Sequence, residues 1–232
     1  MTREDFRALV FHFAKTWGQP YIASSDVATF NDFLLRHLRK FTAETKCLYK
    51  ADVTFTCNTT PDGKFDMRDT DYFQYPMLEI RRVILNSNTL PGPHTRTGPL
   101  GLEMIELDYQ NYRTSSDGSP KVWALIPPRT LLLVPAPSAT ISNCYVSGWY
   151  LHPDFTNDLT ELSLNEEDIE AAAYHCAYEL ILPYASGAGA EKAGILKNLA
   201  KEAKAETASR ASKLFSAGTL GRQVYRNTRH RL

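Results

Sequence analysis

Apolar residues near the start of the chain recur at three- and four-residue intervals. Phe6, Leu9, Val10, Phe13 and Trp17 fall on one side of a 3.6-residue repeat, which predicts an amphipathic helix stopped by Gly18 and Pro20. Ser24 and Ser25 are candidate N-caps for a second helix with the stripe Val27, Phe30, Leu34, Leu38 and Phe41. Its basic residues Arg36, Arg39 and Lys40 lie toward the C-terminal end, where the helix dipole favours cations. From about residue 46 the period shortens to two. Val53, Phe55 and Cys57 share one face of a strand over 52–57, Pro61-Asp62-Gly63 is a turn, and 64–67 reads as the returning strand of a hairpin. Further strands are expected over 79–85, 121–126, 130–134 and 143–150, separated by Gly/Pro loops around residues 90–93, 98–99, 117–120, 127–128 and 135–137. Residues 102–109 fit a short strand or a helix equally well.

The helical period returns at Ser163. With Glu166 three residues on, Ser163 reads as a capping box, opening a helix with Ile169, Ala172, Cys176 and Leu180 on one face and Pro183 at its end. A small-residue loop over 186–190 leads to a last helix with the stripe Leu196, Leu199, Ala203, Ala211 and Leu214, rich in the strong helix formers Ala, Lys and Glu. Gly218 and Gly221 are expected to close it. Two helices at either end are too few to bury their apolar stripes alone, so the N- and C-terminal pairs should pack together. The expected fold is therefore α+β. Residues 1–45 and 160–221 form a helical bundle, 46–159 an inserted antiparallel, sandwich-like β-rich domain, and 222–232 an extended basic C-terminal tail.

Composition narrows the function classes. In 232 residues, 43% hydrophobic and 22% charged is ordinary globular composition. Lys plus Arg (26) equals Asp plus Glu (26), so the chain lacks the global basicity of a protein built to grip nucleic acid. The longest strongly apolar run, 131–134, is far short of a bilayer span, and the acidic start Met1-Thr2-Arg3-Glu4-Asp5 does not suit a signal peptide. Cys47, Cys57, Cys144 and Cys176 show no metal or redox spacing and read as small buried hydrophobes of a cytoplasmic product. Aromatic content is 11%, concentrated in the β portion, where Tyr and Trp beyond the needs of the core would suit a subunit interface.

Candidate chemistry is sparse. Residues 187–194 contain glycines in the manner of a phosphate loop, but Ile195 and Leu196 stand where the lysine and hydroxyl would be needed, so a flexible interhelical turn is expected. His175 and Glu179 are four apart on a helix and could share a metal, yet no third ligand shows a recognisable spacing. His12 and His37 stand singly. The carboxylate pairs Asp69/Asp71 and Glu166/Glu167 read as loop and helix-start charge. No nucleophile motif is present, and neither an enzyme activity nor a cofactor is expected. The tail is the segment most open to function. Arg222, Arg226, Arg229 and Arg231 are interspersed with Val224, Tyr225 and Leu232, with no acid among them. Such a segment is either a solvated terminus or one that folds on an acidic groove or a phosphate.

From its middle onward the chain resembles the head-to-tail adaptor (connector) proteins of tailed bacteriophages. The residues that carry the resemblance are Gly118-Ser119-Pro120-Lys121-Val122-Trp123, the apolar strand Leu131-Leu132-Leu133-Val134 ending in Pro135-Ala136-Pro137, and the aromatic strand Tyr145 to Tyr150 leading to Pro153. An Ala-rich helix, a long Ala/Lys helix and a polar tail follow in the same order. The resemblance implies a structural virion protein of the phage neck, assembled in the host cytoplasm as a ring, commonly of twelve subunits, beneath the portal. It implies the portal protein above and a tail or tail-terminator protein below as partners, with DNA crossing the lumen without specific binding and no membrane contact. It also implies that the C-terminal tail reaches into the portal, making Arg222, Val224, Tyr225, Arg226, Arg229, Arg231 and Leu232 candidates for that contact. A tail-completion or tail-tube ring is the alternative of the same kind; a non-contiguous active site or a small nucleic-acid-binding module are the other classes to weigh.

Overall fold

The structure, a computed structural model, describes residues 1–17, 27–60, 62–92, 118–185 and 188–228. Among them are four α-helices and seven antiparallel strands, an α+β fold. The chain divides into two compact units. Met1–Leu48 and His152–Leu232 form a helical unit, and Tyr49–Leu151 form a β unit.

The helical unit contains α1 (Arg3–Trp17), α2 (Val27–Thr45), α3 (Glu166–Ile181) and α4 (Ala188–Thr228), with a 3-10 turn at Leu182–Tyr184 after α3. The stripes read from the sequence face inward: Phe6 and Val10 of α1, and Phe30, Leu34, Leu38 and Phe41 of α2, are buried, while Val27 is exposed. Phe11 stacks on Phe30 at 4.5 Å, and Phe13 stacks on Tyr174 of α3 at 4.4 Å. Helix α3 is more enclosed than a one-faced stripe implies. Ala171, Ala173, His175, Ala177 and Ile181 are buried along with Ile169, Ala172, Cys176 and Leu180, because α3 contacts α1, α2 and α4. Its run of alanines lets neighbouring helices approach from several sides.

Helix boundaries depart from expectation in four places. The capping box proposed at Ser163 is not formed. Helix α3 opens at Glu166 with Asn165 in the cap position, whose carbonyl accepts the Asp168 amide at 2.9 Å, while the Ser163 amide donates to His152 Nε2. A capping box does form at the start of α1, between Thr2 and Asp5. Arg39 and Lys40 fall short of the last turn of α2 and serve ion pairs instead, Arg39 with Asp154 at 3.0 Å and Lys40 with Glu179. Residues 188–194 are not a turn but the first turns of α4, and α4 continues through Gly218 and Gly221 to Thr228. One glycine costs a helix about 1 kcal/mol relative to alanine, which the surrounding Ala, Lys, Glu and Arg outweigh over a long helix. Ser24, Ser25, the loop at 98–99 and residues 102–109 lie outside the described residues.

The β unit contains β1 (Tyr49–Thr54), β2 (Lys64–Asp66), β3 (Met77–Leu85), β4 (Asn88–Thr89), β5 (Val122–Ile126), β6 (Thr130–Val134) and β7 (Cys144–Tyr150). One sheet has the order β1-β7-β3-β4 and the other β2-β6-β5. The hairpin expected between residues 52–57 and 64–67 does not form, since β2 pairs with β6 of the other sheet. The turn that was to close it redirects the chain. Gly63 sits at φ +67°, its carbonyl accepts the Leu133 amide at 2.9 Å, and a Cβ there would meet Leu133 O at 2.3 Å. Only glycine combines that left-handed backbone with so close an approach.

Both sheets contribute to one core of Val53, Phe55, Phe65, Phe73, Met77, Ile80, Val83, Trp123, Leu131, Leu133 and Val146. Phe55 stacks on Phe73 at 4.8 Å and meets Phe65 edge-on at 5.0 Å. Alternation in and out along β1 and its continuation (Val53, Phe55, Cys57) follows the period-two pattern of the sequence. All four cysteines are free thiols, and the Cys144 thiol donates to the Ile141 carbonyl at 3.2 Å.

Candidate functional site

Arg222, Val224, Tyr225 and Arg226 lie on the last turns of α4, so their backbone is helical rather than extended. Positions 222, 225 and 226 are spaced i, i+3 and i+4, which groups them on one side of the helix. Arg229, Arg231 and Leu232 lie outside the described residues. The last described tie between α4 and the start of α3 is Arg210. Its guanidinium reaches the buried Asp168 at 2.7 Å, the Glu167 carbonyl at 3.1 Å and Thr207 at 3.3 Å, with Glu206 at 2.9 Å one turn away. Beyond Arg210, α4 runs about five more turns.

The polar residues that the fold gathers lie between α2 and α3. Helical periodicity sets His175 and Glu179 one above the other on α3, and α2 brings His37 to them. One ligand atom from each of the three lies within 4.8 Å of the others. His175 is buried and His37 half-buried, and His37 Nδ1 and His175 Nε2 have no hydrogen-bond partner among the described residues. An orphaned buried polar atom of this kind costs about 1–3 kcal/mol. Burial pushes His175 down to about 4 and lowers His37 as well, against the pull of the Glu179 carboxylate, so both imidazoles are neutral near pH 7. Burial would raise the Glu179 carboxyl, but Lys40 and the two imidazoles outweigh it and hold it low. The spacing of the sequence pairs His175 with Glu179 and leaves His37 standing singly. The signal available was its place on the α2 face between Leu34 and Leu38, which becomes visible only once α2 is packed on α3.

The remaining candidates resolve into local structure. Asp69 Oδ1 accepts the Asp71 amide at 2.8 Å, closing a turn, and Glu166 and Glu167 sit in the first turn of α3. An open, largely apolar groove of about 450 Å³ lies between α1 and the start of α3, lined by Met1, Leu9, Phe13, Glu166, Ile169 and Glu170. Among the described residues, no helix is long and apolar enough to cross a membrane.

The family model of the SU10 adaptor protein matches residues 12–226, nearly the whole chain. The chain belongs to the SU10 adaptor protein family. This is a family of phage head-to-tail adaptors, so the chain is a structural component of a virion that works in contact with other phage head and tail proteins. No curated protein matches it. The family match runs into α4 as far as Arg226, so it takes in Arg222, Val224, Tyr225 and Arg226 and stops short of Arg229, Arg231 and Leu232.

Proposed function

We propose that this SU10-family adaptor forms a ring, of twelve subunits by the family's habit, between the capsid portal and the tail, with DNA passing through its lumen. The observation that carries the reading is the family match over residues 12–226. In this reading the helical unit supplies the ring's subunit contacts, with the apolar groove beside Leu9, Phe13 and Ile169 as a surface for a neighbouring copy. The inserted β unit faces the tail and meets the tail or tail-terminator protein. A balanced formal charge of zero suits a channel that must let phosphate slide rather than hold it.

The end of α4 enters the portal, and Arg222, Val224, Tyr225, Arg226, Arg229, Arg231 and Leu232 make the contact. Helical backbone to Thr228 supports this. A helical backbone is already ordered before docking, so less conformational entropy is lost than from an extended tail. Ending the chain after Gly221 tests the assignment. The truncated protein should keep its far-UV helical signal and lose stoichiometric binding to portal, and portal mixed with full-length chain should show a second ring by electron microscopy. Undiminished portal binding by the truncated chain would remove these residues from the interface.

A further inference from the structure

We infer that His37, His175 and Glu179 form a binding site for a zinc-class divalent cation that staples α2 to α3. The adaptor reading does not call for such a site, and the inference stands without it. Three features of the geometry carry it. The donor set is two imidazoles and a carboxylate, a ligand set that suits zinc, cobalt or nickel and disfavours magnesium and calcium, which seek oxygen alone. The donors come from two helices, with ligand atoms all within 4.8 Å of one another. Two of these groups present buried ring nitrogens, His37 Nδ1 and His175 Nε2, that nothing among the described residues satisfies.

Zinc with nitrogen or oxygen at about 2.0–2.2 Å needs donors roughly 3.3 Å apart in a tetrahedron. The cluster must therefore contract by about 1.5 Å at its widest, a change of the size that side-chain rotation provides, and both His37 and Glu179 are only partly buried. Glu179 already accepts Lys40 on Oε1. A carboxylate has lone pairs enough to serve both an ammonium and a metal, so Lys40 acts as the outer partner that orients this ligand. Arg36, Lys40 and Lys204 lie close enough to oppose an added cation, while Glu44, paired with Lys204, offsets part of that field. These cations set the affinity near micromolar rather than nanomolar. Three protein ligands leave a fourth position for water or another small donor.

The test is calorimetric titration of Zn²⁺ into the full-length chain after treatment with chelator, with Mg²⁺ as the comparison and Co²⁺ as a spectroscopic probe. The expected result is one Zn²⁺ per chain with a Kd of about 1–10 μM, Mg²⁺ at least a hundredfold weaker, and visible Co²⁺ absorption of the four-coordinate kind. His37→Gln and Glu179→Gln change partly exposed positions and should fold as the parent does by circular dichroism, yet weaken Zn²⁺ at least tenfold and abolish the Co²⁺ bands. His175→Ala should do the same where it folds. Unchanged Zn²⁺ affinity in His37→Gln and Glu179→Gln, which would place the ion at other surface histidines, overturns the assignment. So does Zn²⁺ binding no tighter than Mg²⁺.

Discussion

In the β unit two sheets enclose aromatic and aliphatic side chains, and its described ion pairs, Arg81–Glu79, Arg82–Asp52 and Lys64–Asp62, join partners that all keep at least a fifth of their surface exposed. In the helical unit charge reaches inward. Arg210 meets an Asp168 carboxylate that is 8% exposed, Lys40 meets a Glu179 that is 15% exposed, and Arg3 and Arg7 converge on Asp158. Six of the seven buried polar or charged side chains among the described residues belong to the helical unit, Ser147 being the exception. Packing precision therefore decides whether the β unit forms, while the helical unit depends more on protonation and charge. Strands that pair backbone to backbone leave little room for variation at close approaches. Helices that satisfy their own backbones must be tied to one another through side chains.

The largest effect expected from this contrast is steric and falls on the β unit. Gly148 lies in β7, between β1 and β3, opposite Lys50 on one side and Ile80 on the other. A Cβ at that position would stand 2.0 Å from the Glu79 carbonyl oxygen and 3.0 Å from Ile80 Cα. The obstruction is backbone, which cannot rotate aside, so β3 and β7 must part. Gly148→Ala should cost on the order of 4 kcal/mol. Urea unfolding followed by near-UV circular dichroism reads this directly. A loss below about 1 kcal/mol would mean that the two strands tolerate separation and that close packing is not what holds this unit.

The second effect falls on the helical unit and depends on acid. His152 is fully buried, with Nδ1 2.8 Å from the Pro153 carbonyl and Nε2 accepting the Ser163 amide at 3.3 Å. That pair of bonds requires the neutral ring with its proton on Nδ1. Burial pushes its pKa down to about 4, with Arg39 adding to the fall and the Pro153 carbonyl and Asp154 resisting it. The unfolded chain takes up this proton near pH 6.5, whereas the folded chain resists until about pH 4. Stability from His152 is therefore whole above about pH 6.5 and is lost as the pH falls toward 4, by about 3 kcal/mol at most. His152→Asn should flatten the stability profile between those limits by roughly one proton. His175, lowered by burial in the same direction, keeps part of the slope. Among the described residues the β unit buries thiols and no imidazole, so the helical far-UV signal should weaken first on acidification. Equal slopes for the parent and His152→Asn would remove His152 as the acid-sensitive group.

The same contrast explains what could be read from the chain alone. The stripes of α1 and α2, and strands β3, β5, β6 and β7, follow from periodicity, because burial on one face leaves a repeat in the sequence. The partner of β2 was not legible. Its alternation, with Phe65 and Met67 inward, fits any strand facing this core, and the pairing with β6, flanked by the close approach of Gly63 to Leu133, is long-range and leaves no local mark. The cap of α3 was misread for a related reason. Ser163 had the right spacing, but its amide is engaged by His152, a residue held by Arg39 and Thr42 of α2, far away in the sequence. The His37, His175 and Glu179 cluster joins residues from opposite ends of the chain, and no local spacing encodes it. Glycine was the least legible signal of all, marking a redirected turn at Gly63, a close approach at Gly148 and uninterrupted helix at Gly194, Gly218 and Gly221.

That last difference gives the smallest and most diagnostic prediction. Gly194 lies in α4, is exposed, and has nothing within 4 Å of the Cβ that an alanine would add. Replacing it with alanine removes backbone freedom from the unfolded chain and introduces no contact in the folded one. Gly194→Ala should therefore stabilise the protein by about 0.5–1 kcal/mol, the opposite sign to Gly148→Ala for the same added methyl group. Urea midpoints with an unchanged slope would report the gain as one of stability alone. A destabilised Gly194→Ala would mean that the start of α4 is used in a non-helical form, which would restore the interhelical turn to residues 187–194. A stabilised one agrees with helix through Gly194 and makes glycine's cost in this protein a matter of neighbours: open space around a helix at Gly194, a carbonyl of the adjoining strand at Gly148.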